Sequence, residues 1–114
     1  MSLLKVETVA LGGVERISLE GELDRSVAEQ LELALLASEG RPVVIDLTAC
    51  EFIDSSGIAL IVAHWRASND QLALAGARSQ TARILETAGL TEEIPTFETF
   101  DDAAAAWQGR EQPK

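Results

Sequence analysis

Cysteine and histidine are scarce in this chain, and their scarcity excludes several kinds of site. Cys50 is the single cysteine, so an internal disulfide cannot form and a zinc cluster built from cysteines is excluded. Its apolar neighbours predict a small buried side chain. His64 is the single histidine, which argues against a zinc site. Carboxylates could still bind a harder cation, but we expect neither a metal nor another cofactor.

Long apolar runs and an excess of basic residues are also missing. No stretch approaches the ~18 apolar residues of a membrane-spanning helix, and the first residues lack the features of a signal peptide. We therefore expect a cytoplasmic protein that does not insert into membranes. Nine Lys and Arg face 19 Asp and Glu, a net charge of −10, which argues against direct binding to nucleic acid. The acidity fits either simple solubility or attraction of a basic partner.

The apolar pattern predicts an α/β fold in one domain over residues 1–108, followed by a polar, frayed tail over 109–114. Strands alternating with helices predict a small sandwich with a mostly parallel sheet, an antiparallel N-terminal edge hairpin and about four helices mainly on one face. A capping box of Ser26 and Glu29 is expected to begin the first helix. The predicted strands cover 4–9, 14–19, 43–47, 72–75 and 94–97, and the predicted helices 26–38, 56–67, 80–88 and 101–107.

The most informative segment is Asp54-Ser55-Ser56-Gly57, which lies between an apolar strand and an apolar helix. The first amides of a helix lack intrahelical partners and the helix dipole is positive there, so this position favours a phosphate. A phosphoserine carries about −1.5 to −2 charges near neutral pH and would turn the loop into a charge switch. The alternative is that Ser55 or Ser56 simply caps the helix.

Enzymatic interpretations find little support in the sequence. The serine pair lacks the G-x-S-x-G turn of a hydrolase, and His64 follows along the same helix rather than facing its start. The glycine-rich motifs of nucleotide-binding loops are absent. A phosphorylated receiver domain would require a second acidic residue beside Asp24 and a lysine near 71–76, and neither is present. We therefore expect a binding protein rather than an enzyme.

Three segments of the chain together form a recognisable pattern: Gly21-Glu22-Leu23-Asp24, the Asp54–Gly57 motif after Val-Val-Ile-Asp-Leu, and Thr87-Ala88-Gly89-Leu90. With these segments the chain resembles the STAS domain family of bacterial anti-sigma factor antagonists. They occur in the family's order and spacing across nearly the whole chain. The resemblance implies a STAS-like sandwich and a domain that takes part in partner switching.

The resemblance also implies the partners. The unphosphorylated domain would bind an anti-sigma factor that is a serine kinase, phosphorylation would break the complex, and a PP2C-type phosphatase would restore it. Ser55 corresponds to the phosphoacceptor and Asp24 to an acidic position nearby. We assign Ser56 as the helix cap and Gly57 as a small residue that permits close approach by the partner, with Asp54 in the same loop.

The helix after this loop carries a second candidate surface. Leu60 and His64 lie four residues apart on a face separate from the expected core stripe, which fits either a docking patch or a helix covered on two sides. The alternative function is a non-switched STAS subunit of a membrane transport system, such as a lipid-transport ABC complex. The oligomeric state is left open.

Overall fold

The computed structural model describes residues 4–110, with side chains through Trp107, as five strands and five helices. All five strands form one sheet in the order β1-β2-β3-β4-β5. β1 and β2 are antiparallel, and the other neighbours are parallel, as predicted. The elements are β1 (Leu4–Leu11), β2 (Val14–Leu23), α1 (Ala28–Ala37), β3 (Val43–Ile53), α2 (Ser55–Ala67), β4 (Leu72–Ala75), α3 (Ser79–Thr87), α4 (Leu90–Glu93), β5 (Thr96–Phe97) and α5 (Phe100–Arg110).

Alternation along the central strands builds a hydrophobic layer on each face of the sheet. On one face, residues such as Ile45 and Leu74 pack in the larger core, to which α1, α2, α3 and α4 contribute. On the other face, Val44 and Ala73 pack with Phe100 and Trp107 of α5. The expectation that the helices lie mainly on one face is confirmed; α5, the last of the predicted helices, lies on the opposite face. No helix within residues 4–110 is long and apolar enough to cross a membrane.

β3 is longer than predicted and carries the chain to the serine loop. It pairs with β4 only from Val43 to Asp46, whereas its pairing with β2 extends from Val43 to Ile53 with two register shifts. The Thr81 hydroxyl of α3 donates a hydrogen bond of 2.8 Å to the Cys50 carbonyl of this extension. The prediction ended at Leu47 because the following residues include polar, exposed side chains that break the apolar run.

A charged cluster joins the sheet to α5. The Arg16 guanidinium donates two hydrogen bonds, of 2.6 and 3.0 Å, to Asp46 Oδ2 and lies 4.5 Å from the centre of the Phe100 ring. Thr48 donates to Asp46 Oδ1 from its amide and its hydroxyl. Burial would raise the pKa of the Asp46 carboxyl, but these bonds from Thr48 and Arg16 outweigh it and hold the pKa below its ordinary value. The cluster stabilises the packing of β2, β3 and α5.

Several helix boundaries correct the sequence prediction. The capping box was wrong, because α1 begins after Val27 without a side-chain cap and the Ser26 hydroxyl bonds to Asp24 instead. α4 was not predicted; it follows Gly89, whose left-handed conformation separates it from α3. α5 continues to Arg110, past the expected domain boundary at residue 108 and into the predicted tail. The rest of that tail, 111–114, lies outside the described residues.

Candidate functional site

The loops after β2 and β3 meet at one edge of the sheet, because parallel neighbouring strands end on the same side. The Asp54 amide donates a 3.0 Å hydrogen bond to the Leu23 carbonyl, and the Arg25 amide donates one of 3.1 Å to Asp54 Oδ2. Asp24 is the residue between these two contacts. Its Oδ1 accepts bonds from the Ser26 amide and hydroxyl, at 2.9 and 2.6 Å. The two loops that carry the predicted acidic residues are therefore joined by hydrogen bonds.

Asp54, rather than Ser56, caps α2. Its backbone is extended (φ −97°, ψ −175°), and its Oδ1 accepts from the amides of Ser56 and Gly57 at 2.9 and 3.2 Å. The role predicted for Ser56 was therefore wrong. The same contacts correct a second expectation, that a phosphate could take the unpaired amides of α2, because a carboxylate oxygen already accepts two of them. A phosphate on Ser55 would instead add negative charge beside the Asp54 carboxylate.

Ser55 is the first residue of α2, and its side chain is exposed, whereas Ser56 is half-buried. No side chain or backbone group described between residues 4 and 110 forms a hydrogen bond with the Ser55 hydroxyl. A hydroxyl in this position is open to a partner from solvent. Chemically, the loop offers an exposed alcohol beside carboxylates, without a histidine base: His64 lies roughly 14 Å further along α2 at 1.5 Å per residue.

Gly57 has an internal role instead of the predicted one. It is buried, and a Cβ added to it would lie 2.6 Å from Leu23 Cδ2 and 2.9 Å from Ile53 Cγ2. The missing side chain therefore lets the start of α2 pack directly on the ends of β2 and β3. Close approach by a partner, the reason given from sequence, does not explain a residue that faces the interior.

Leu60 and His64 lie away from the serine loop, in a groove of about 440 Å³ between α1 and α2. Both side chains are half-buried, so α1 covers part of this face of α2 and the rest lines the groove. Burial lowers the pKa of His64, and the Glu39 carboxylate opposes this effect only in part. Within the described residues His64 Nε2 is buried and has no hydrogen-bond partner.

Sequence reasoning missed the α1 side of this groove. Leu35 and Leu36 of α1 form its apolar wall, with Glu32 and Glu39 among its charged residues. Leu33 and Leu36 are 61 % and 60 % exposed, although α1 also buries Leu31 and Leu35. The sequence signal that could have indicated this surface is the presence of two leucines outside the core face of an otherwise amphipathic helix.

The remaining reactive side chains do not form a further centre. Cys50 is buried, its thiol lies 3.5 Å from the Phe52 carbonyl, and burial raises its pKa. Among residues 4–110, no three His, Cys, Asp or Glu side chains are grouped to hold a metal ion. The joined loops after β2 and β3, with the exposed Ser55 hydroxyl beside Asp54, are therefore the candidate functional site.

The mixed five-stranded sheet and the Asp-Ser-Ser-Gly junction at the start of α2 define a STAS-type domain. The family described as "Mlab, STAS domain" matches residues 7–97, and the chain belongs to this STAS family. It is 30% identical over 102 residues to the anti-sigma-F factor antagonist RsfB of Mycobacterium tuberculosis, covering 85% of this chain and 84% of that protein.

Two further comparisons agree with this assignment. The anti-sigma F factor antagonist of Paenibacillus polymyxa is 26% identical over 102 residues, covering 83% of this chain and 87% of its own length. The crystal structure of an anti-sigma factor antagonist from Mycobacterium paratuberculosis superposes with a TM-score of 0.85 at 29% identity, covering 91% of this chain and 93% of that one. The chain therefore shares its fold and nearly its full length with anti-sigma factor antagonists.

Proposed function

We propose that this protein is a cytoplasmic anti-sigma factor antagonist, a binding protein without catalytic activity, switched by phosphorylation of Ser55. In this proposal the unphosphorylated domain binds a kinase-type anti-sigma factor, and a PP2C-type phosphatase reverses the modification. The observation that carries the proposal is the exposed Ser55 hydroxyl at the junction of β3 and α2, which no group described in residues 4–110 engages in a hydrogen bond. The similarity to antagonists over more than four-fifths of the chain supports the partner class.

The geometry supports a switch that acts through charge rather than refolding. Asp54 already accepts the amides at the start of α2, so a phosphoserine at position 55 would leave that cap in place. The new charge would lie next to Asp54, in a loop bonded to the one that carries Asp24. A partner surface that fits the neutral hydroxyl would then meet added bulk and like charges.

The test uses purified anti-sigma factors of the serine-kinase type, selected for binding to this protein, with ATP. We expect an addition of about 80 Da, the mass of one phosphate, mapped to the residue-55 peptide in the wild type and in Ser56→Ala, and none in Ser55→Ala. By calorimetry, Ser55→Asp should weaken kinase binding at least tenfold, about 1.4 kcal/mol. Ser56→Ala is the matched control, because it removes a neighbouring hydroxyl that does not cap the helix.

A different outcome of the same experiment would refute the phosphorylation switch. If the kinase binds the wild type but adds no phosphate, and Ser55→Asp binds as tightly as the wild type, the switch is refuted. The alternative, a permanent STAS subunit of a membrane transport system, would then be favoured. It would gain direct support if permease and ATPase subunits co-purified stoichiometrically with the protein.

A further inference from the structure

The groove between α1 and α2 is a largely apolar surface outside the serine loop. Leu36 projects from α1 with 60% of its surface exposed, and Leu60, Ala63 and Ala67 line the groove from α2. From Leu60 to Ala67 the groove follows α2 for roughly 10 Å, about two helical turns. This length suits two turns of a partner helix, whose apolar side chains recur at i, i+3, i+4 and i+7.

The charges at the groove define which helix it fits. Glu32 and Glu39 contribute carboxylates to its lining. The one arginine in the lining, Arg41, is already engaged: it donates a 2.7 Å bond to the Ala37 carbonyl and pairs with Glu15 at 3.5 Å. Burial favours the neutral form of His64, so His64 adds little opposing charge. The unpaired charge of the groove is therefore negative and complements lysine or arginine.

We propose that this groove binds a cationic amphipathic helix of a partner protein, with leucine-like residues against Leu36 and Leu60 and a basic residue near Glu32 and Glu39. The occupant is a helix segment of another protein, not a second copy of this strongly acidic chain. The binding does not require Ser55 to be in either phosphorylation state, so the proposal goes beyond the switch.

Two synthetic peptides of one composition, leucine and lysine, test the proposal. In the first, leucines recur at helical spacing on one face; in the second, the same residues are rearranged so that leucines surround the helix. We expect the first peptide to bind at least tenfold more tightly by calorimetry. In spectra of the ¹⁵N-labelled full chain, it should shift the amides of Leu36, Ala63 and His64. Equal binding of both peptides would indicate nonspecific attraction to the acidic protein and would overturn the proposal.

Matched variants locate the binding. The variant Leu36→Ser should weaken the first peptide at least tenfold, because it removes the exposed leucine of the groove wall without disturbing the core. The control is Leu11→Ser, which removes another exposed hydrophobic side chain, on β1, and should bind as the wild type does. Equal losses in both variants, or amide shifts confined to β1, would contradict the assignment.

Further variants test whether the groove carboxylates contribute to peptide binding and whether that binding is independent of the charge at residue 55. Glu32→Gln/Glu39→Gln should weaken binding severalfold, whereas Glu92→Gln/Glu93→Gln, an equal charge change on α4, should not. Ser55→Asp should bind the peptide as tightly as the wild type, so a failed switch and a failed groove give different results. Dimerisation of the wild type that Leu36→Ser abolishes would show a second copy in the groove and refute the proposed occupant.

Discussion

Two substitutions of Asp54 should measure separately how much each of its carboxylate oxygens contributes to the free energy of unfolding, because the two oxygens have different partners. Oδ1 accepts the Ser56 and Gly57 amides of the helix cap, and Oδ2 accepts the Arg25 amide of the neighbouring loop. Asp54→Ala removes both sets of bonds. Asp54→Asn can keep its carbonyl oxygen at the cap, but its amide group then faces the Arg25 N–H and cannot accept from it.

The expected magnitudes follow from these contacts. Loss of a helix cap costs about 1 kcal/mol, and loss of the half-exposed charged bond to the Arg25 amide costs roughly 1 kcal/mol more. Both variants also lose the charge at the helix N-terminus, worth about 0.3–1 kcal/mol. Asp54→Ala should therefore lower the free energy of unfolding by about 2.5 kcal/mol, and Asp54→Asn, which can keep the cap bonds, by about 1.5 kcal/mol.

Urea denaturation followed by circular dichroism measures these differences, with the m-value expected to stay constant. In thermal melts, each kcal/mol should lower the Tm by about 4 °C for a domain of this size. Glu86→Gln, which removes a charge from the exposed surface of α3, is the control and should stay within about 0.5 kcal/mol of the wild type. An Asp54→Ala variant as stable as this control would refute the assignment of Asp54 as the cap.

Two further predictions concern stability. Gly76→Ala should cost about 2–5 kcal/mol in urea denaturation, because φ is +80° there and the new Cβ would overlap the Thr48 hydroxyl. Gly89→Ala, at the same φ with open space around it, should cost only about 1–2 kcal/mol, and equal losses would show that crowding at Thr48 is unimportant. Because burial lowers the pKa of His64, the unfolded chain takes up a proton near pH 6.5 more readily than the folded one. Stability should therefore fall as pH drops below about 6.5, and His64→Gln should reduce that fall; identical pH profiles would contradict a buried, neutral imidazole.

The convergence of the two acidic loops could be predicted from sequence, but the cap could not. Asp24 and Asp54 each follow an apolar strand, and parallel pairing brings such ends together. Aspartate and serine are almost equally good caps. The choice between Asp54 and Ser56 depends on which residue has extended backbone angles, and that is set by the 3.0 Å bond from the Asp54 amide to Leu23.

The length of β3 and the groove between α1 and α2 could not be predicted from the sequence, for a different reason. β3 beyond Leu47 has exposed polar side chains, and its pairing with β2 through two register shifts leaves no regular apolar pattern to detect. Periodicity identified the buried face of α1 but did not indicate how closely α2 would approach it. Leu33 and Leu36 could therefore be recognised as lying outside the core face, but what lies beside them could not. The groove, which the packing of α1 against α2 forms, was missed.

The length of β3 has a practical consequence for attaching the protein to a dye or a surface. α5 packs near Val44, and from there β3 runs roughly 30 Å to Ile53 at ~3.3 Å per residue, on the way to the serine loop. A thiol introduced by Ala105→Cys on the exposed side of α5 would thus lie far from Ser55. Because Cys50 is buried and its thiol pKa is raised, maleimide chemistry would select the new cysteine. The domain can therefore be immobilised through α5 while a kinase has access to Ser55 from the opposite end.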